Sequence, residues 1–191
     1  MPGSEEWAAA PPTWALPVTV ATTLVLMRQG GVLVSVGPVC AYPVGFEFYL
    51  TFGFDPEPDA AWRAWAPRDR LLGFHARRTE EQESATRVVV GFAAGVAADS
   101  VACMHRPARP GEPLLRFSGG DSVIHQSASP LRAESRWWVS PLPPPGRVEF
   151  GVFVPGAAGP AGPASMDAVA ILEAASRSRA LWPAPEAGRR D

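Results

Sequence analysis

From Val44 to Phe54 the chain alternates without a break. Phe46, Phe48, Leu50, Phe52 and Phe54 occupy one parity, and Gly45, Glu47, Tyr49, Thr51 and Gly53 the other. A period of two over this length places five large apolar side chains on one face of a strand. Such a face needs a covering layer, because each fully buried side chain of this size contributes roughly 1.5–3 kcal/mol. The row from Phe46 to Phe54 is therefore the expected centre of the core.

The same period recurs along the chain. Val148, Phe150, Val152 and Val154 alternate within Arg147 to Pro155, and Val88, Val90 and Phe92 within Arg87 to Ala94. Leu16 to Arg28 is apolar on both parities, as in a strand covered on two sides. Gln29-Gly30-Gly31 turns it into Val32 to Val36, a hairpin signal. Gly37-Pro38 and Tyr42-Pro43 then punctuate the path to the Phe-rich strand. Further strands are expected at Ala97 to Met104, Leu114 to Phe117 and Ser135 to Ser140. Asp59 is placed to cap a short helix over 60–66, and Arg77 to Ala85 is expected to be a solvated loop. Ser165 is placed to cap a helix over 165–182 whose apolar stripe is Ala168, Ile171, Leu172, Ala175 and Trp182.

Short strands bounded by turn signals, without strand-helix-strand alternation, predict a mainly β fold: one antiparallel β-sandwich, immunoglobulin-like or jelly-roll-like, with a C-terminal α-helix. The expected organisation is a disordered leader (1–12), the sandwich (13–155), a linker (156–164), the helix (165–182) packed on or beside the sandwich, and a disordered tail (183–191).

Composition narrows the function classes. A net charge of −2 over 191 residues gives no general attraction to nucleic acid or anionic lipid. All 17 basic residues are Arg, and Lys and Asn are absent. With heavy Ala, Pro, Gly and Val usage this points to a GC-rich genome, which discounts the Arg content as a functional signal. Cys40 and Cys103 are too few for a disulfide scaffold. The apolar run Ala15 to Met27 falls short of the ~20 residues a spanning helix needs. The expected setting is cytoplasmic, with no membrane and no nucleic-acid partner.

Ala41-Tyr42-Pro43-Val44-Gly45-Phe46-Glu47-Phe48, the run Pro141-Leu142-Pro143-Pro144-Pro145-Gly146 after Trp138-Val139-Ser140, and Leu181-Trp182-Pro183 together resemble a family of small actinobacterial proteins. The similarity extends from about Pro17 to Pro183. It implies the fold and the class of organism, and carries over no catalytic residue.

Candidate chemistry is sparse. Cys103 and His105, two apart on an expected strand, join Cys40 and His125 as a conceivable tetrahedral zinc set, although a Cys among Val and Ala is first a small buried hydrophobe. Asp121, Ser122 and His125 lie close together without a nucleophile elbow, and read as a polar loop. Asp55, Glu57 and Asp59 read as an acidic loop without a cation, and His75 as a packing or capping group. Trp62, Arg63, Trp65, Arg68, Arg70, Arg77 and Arg78 mix aromatic and cationic groups, offset by Glu80, Glu81 and Glu83.

Trp137 and Trp138 must point to opposite faces of a strand. Parity with Val139 places Trp137 inward and Trp138 outward beside a polyproline run, where it is either an exposed interface anchor or covered by the C-terminal helix. The reading that follows is a non-enzymatic interaction module acting by protein contact or self-association, with Trp138, Pro143, Pro144, Trp62 and Trp65 as its interface and no cofactor. The alternatives are a zinc-binding or hydrolytic enzyme using Cys103, His105 and His125, and a carrier holding a small apolar ligand between the sheets.

Overall fold

The computed structural model describes residues 10–29, 32–54, 86–93, 95–100, 103, 112–119, 132–154 and 163–182. Strands account for 63 % of these and one helix accompanies them, so the fold is mainly β. In chain order they are β1 (Ala15–Leu16), β2 (Val18–Val20), β3 (Leu24–Gln29), β4 (Val32–Tyr42), β5 (Gly45–Phe54), β6 (Arg87–Phe92), β7 (Ala97–Asp99), β8 (Leu114–Gly119), β9 (Arg132–Ser140), β10 (Arg147–Phe153), β11 (Ala164–Asp167), α1 (Ala168–Ser176) and β12 (Arg179–Ala180).

The pairings are antiparallel. A six-stranded sheet runs β2-β4-β5-β9-β8, with β3 also joined to β4. A four-stranded sheet runs β11-β10-β6-β7, and β1 and β12 form a two-stranded ribbon.

The Phe row sits where its alternation predicts. Phe46, Phe48 and Leu50 are fully buried and Phe52 is 1 % exposed. Phe48 meets Phe150 of β10 edge-on at 5.1 Å between ring centroids, which joins the two larger sheets at this row. Val88, Val90 and Phe92 of β6, and Val148, Phe150 and Val152 of β10 followed by Val154, are buried in the same cluster. α1 covers the β2 and β4 side of it with Ala168, Ile171, Ala174 and Ala175.

Two local departures from the simple period shape the sheet. The β4 and β5 ladder slips between Gly37 and Val39, so the expected break at Gly37-Pro38 is instead a bulge inside one 11-residue strand. Pro38 has no N–H to give to a ladder, and a bulge is one of the few places in a sheet that tolerates this. The β3 and β4 ladder slips between Val25 and Met27, so the adjacent Leu26 and Met27 are both buried. The single strand expected from Leu16 to Arg28 is divided among β1, β2 and β3, with breaks at Pro17 and at residues 21–23.

The helix is shorter than its stripe suggested. Residues 164–167 extend the four-stranded sheet as β11, paired from Arg147↔Asp167 to Phe150↔Ala164. The cap is accordingly Asp167, which accepts a hydrogen bond from the Val169 amide at 2.9 Å, not Ser165. The Ala168 amide donates to the Gly146 carbonyl at 2.7 Å. At the other end α1 stops at Ser176 and the chain turns into β12, leaving Leu172 half-buried and Trp182 outside the helix. Among the described residues no helix is long and apolar enough to cross a membrane. Residues 1–9 of the expected leader, the short helix at 60–66, the loop at 77–85, most of the linker and the tail fall outside the described residues.

Candidate functional site

The outer face of the six-stranded sheet follows from its register. Because Phe46 and Phe48 point inward, Glu47 and Tyr49 point outward, and pairing sets Cys40, Glu47, Trp138 and Arg116 in one row across β4, β5, β9 and β8. Trp137 and Trp138 do take opposite faces, as parity requires, yet both are buried. Trp137 packs edge-on against Phe117 at 5.7 Å and donates its indole N–H to Ser135 Oγ at 2.9 Å.

The expectation that Trp138 is an exposed anchor is overturned, since it is 0 % exposed within its own chain. Its ring meets Tyr42 edge-on at 5.6 Å and lies over Gly45. A Cβ on Gly45 would come within 2.6 Å of that ring and 2.4 Å of the Val139 carbonyl oxygen. The indole thus occupies the place where position 45 has no side chain, a packing that one strand's parity does not encode.

Glu47, beside Trp138 in the row, is 6 % exposed and accepts a hydrogen bond from Ser118 Oγ at 2.5 Å. Burial raises the Cys40 thiol; Thr19, 3.7 Å away, offsets this in part, and the Glu47 charge adds to it. Burial pushes Tyr42 up to about 12, with Glu47 and Cys40 reinforcing it. Burial also raises Tyr49, aided by Cys40 and Glu47 and opposed by Arg136. A thiol held protonated is a poor nucleophile.

Of the other interface residues, Pro143 is buried and Pro144 exposed in the segment that carries the chain from β9 to β10, while Trp62 and Trp65 lie outside the described residues. Of the zinc ligands expected from the sequence, the two that are described, Cys40 and Cys103, lie apart. Leu115 of β8 donates its amide to Cys103 Sγ at 3.3 Å, whereas Cys40 is on β4. β5 and β9 intervene, three strand spacings of about 4.8 Å each, too far for two thiolates bound at about 2.3 Å to one ion. β7 ends at Asp99, so Cys103 is not on the strand expected there. His105, His125, Asp121, Ser122, His75, Asp55, Glu57, Asp59 and the Arg-rich group from Arg63 to Arg78 lie outside the described residues.

A different surface carries exposed apolar groups. In the β1 and β12 ribbon, Leu16 faces Arg179 and Ala15 faces Ala180. The amides of Leu181 and Trp182 both donate to the Trp14 carbonyl, at 2.7 and 3.4 Å. Alternation sends Ala15 inward, 6 % exposed, and sets Leu16 and Arg179 on the other face. Leu16 is 50 % exposed, Leu181 45 % and Trp182 65 %. Sequence reasoning assigned Trp182 to a helix stripe. The signal against this was Pro183, because the residue before a proline is biased to extended backbone.

No family model, curated protein or solved structure matches this chain.

Proposed function

We propose that the protein is a non-enzymatic interaction module that associates with a second copy of itself through the exposed apolar groups Leu16, Leu181 and Trp182 on and beside the ribbon. The observation that carries the reading is the 65 % exposure of Trp182 beside two half-exposed leucines. Exposed large apolar groups that adjoin one another mark contact surfaces, and Trp is the side chain most enriched among residues that dominate binding. A net charge of −2 sets little repulsion between copies. A two-fold dimer is the commonest closed arrangement for such a patch.

The fold type within this reading is an antiparallel sandwich of the immunoglobulin or jelly-roll kind, which the Phe48 and Phe150 contact between the sheets supports. The setting is the reducing cytoplasm of an actinobacterium, consistent with two free cysteines and an all-Arg basic complement.

Sedimentation velocity over about a hundredfold range of concentration tests the reading. A sedimentation coefficient that rises with concentration, and stays at the monomer value in Leu181→Glu with an unchanged circular dichroism spectrum, is the expected result. A wild-type chain that remains monomeric throughout would overturn it.

A further inference from the structure

A cleft of about 360 Å³ opens on the outer face of the six-stranded sheet. Its floor is made of small residues: Ser35 and Gly37 of β4, and Thr51 and Gly53 of β5. Thr22 and Thr23, between β2 and β3, form one wall, and Arg132 and Glu134 of β9 the other. Pairing explains the layout, because Ser35, Thr51 and Glu134 share one row across the strands, and Leu33, Gly53 and Arg132 share the next.

The two glycines have different causes. A Cβ on Gly37 would come within 2.6 Å of the Thr22 carbonyl oxygen, so the wall itself requires glycine there. Gly53 has no such reason. Its backbone is not left-handed, and a Cβ there would meet only Leu33 Cβ at 3.8 Å, an ordinary contact. Glycine in the interior of a strand costs roughly 0.5–1 kcal/mol relative to alanine. Where the fold does not require it, it marks a place that something else approaches closely.

Polar groups surround this floor. Glu134 Oε1 accepts from Thr51 Oγ1 at 3.4 Å and from Arg132, while Oε2 has no hydrogen-bond partner among the described residues. The hydroxyl-bearing Thr22, Thr23 and Ser35 line the cleft beside it. Arg132 is paired to Glu134 at one amine and its side chain is 62 % exposed, which leaves further N–H donors. Leu33, 39 % exposed, and Pro38 supply apolar surface beside these groups.

We infer that the cleft binds a neutral, hydroxyl-rich ligand of the saccharide class. A simple anion would face the Glu134 carboxylate, and a simple cation the Arg132 guanidinium. A sugar hydroxyl both donates and accepts, so adjacent hydroxyls match a carboxylate oxygen and a guanidinium side by side. The C–H face of the ring lies against Leu33 and Pro38, and the missing side chain at Gly53 gives it depth. A few convergent polar groups on an otherwise apolar concavity of this volume are the usual form of a small-molecule site.

The test is a titration of the isotope-labelled full chain with glucose, galactose, mannose, N-acetylglucosamine and their short β-linked oligomers, followed by amide chemical shifts. Saturable shifts at Ser35, Thr51, Gly53 and Arg132 are expected. Binding by the monomers identifies a free sugar, and binding by the oligomers alone identifies a glycan chain; either supports the assignment. Glu134→Gln should weaken binding about tenfold or more. Gly53→Val should abolish it with the spectrum otherwise native. No shift at high millimolar sugar would overturn the assignment, as would shifts that survive Gly53→Val or appear at the cleft with inorganic phosphate alone.

Discussion

Thr86 shows how single polar atoms bear on this fold. It is 4 % exposed, and its hydroxyl is buried with no hydrogen-bond partner among the described residues. An unsatisfied buried polar group costs about 1–3 kcal/mol, so Thr86→Val, which keeps the shape and removes the hydroxyl, should stabilise the protein by about 1 kcal/mol in chemical denaturation. Tyr42 bears on alkaline pH. Its folded pKa is raised to about 12, above the ordinary value of 10.0, because burial penalises the phenolate. Its contribution is fully present below pH 10 and is lost as pH rises through about 12. Tyr42 and Tyr49 are the chain's two tyrosines, so phenolate absorbance reads these sites alone. Ionisation should begin above the usual range and coincide with loss of stability, and Tyr42→Phe should move the alkaline unfolding midpoint upward.

At the scale of elements, the strands whose period was cleanest were the most legible. β5, β6 and β10 bury the residues that their alternation selects, because one covered face leaves an unambiguous pattern. What the pattern does not encode is a bulge: at Gly37/Val39 one carries β4 through the expected break, and at Val25/Met27 one buries two adjacent residues of β3. The helix was misjudged by a turn at its start for a related reason. Ser165 is a sound cap, yet a ladder with β10 holds 164–167 extended and passes the capping role to Asp167. Asp167→Ala should cost about 1 kcal/mol, seen as a lower denaturation midpoint with unchanged slope. Trp138 was assigned the correct face and the wrong exposure, since parity tells which side a residue is on and not what covers that side. Gly45→Ala checks this packing. The added methyl would press on the indole and on a backbone carbonyl, and should destabilise by about 1–3 kcal/mol, more than an exposed strand glycine replaced by alanine.

For the whole molecule, one core ties two antiparallel sheets to one helix, and its outer surfaces are of two kinds. The ribbon and the residues after it present apolar groups, and the cleft on the six-stranded sheet presents polar donors and acceptors. Neither was legible beforehand. The ribbon joins residues 15–16 to 179–180, from opposite ends of the chain, and the cleft draws on β4, β5, β9 and the β2 to β3 connection. Contacts of that separation leave no local period. The most direct measurement is fluorine NMR on protein labelled with 5-fluorotryptophan, with the Trp138 and Trp182 signals among the seven identified by Trp138→Phe and Trp182→Phe. The Trp182 resonance is predicted to shift or broaden as concentration rises and to respond to a soluble paramagnetic probe in dilute samples, while the Trp138 resonance does neither. A Trp182 signal indifferent to concentration, or a Trp138 signal that the probe relaxes first, would contradict it.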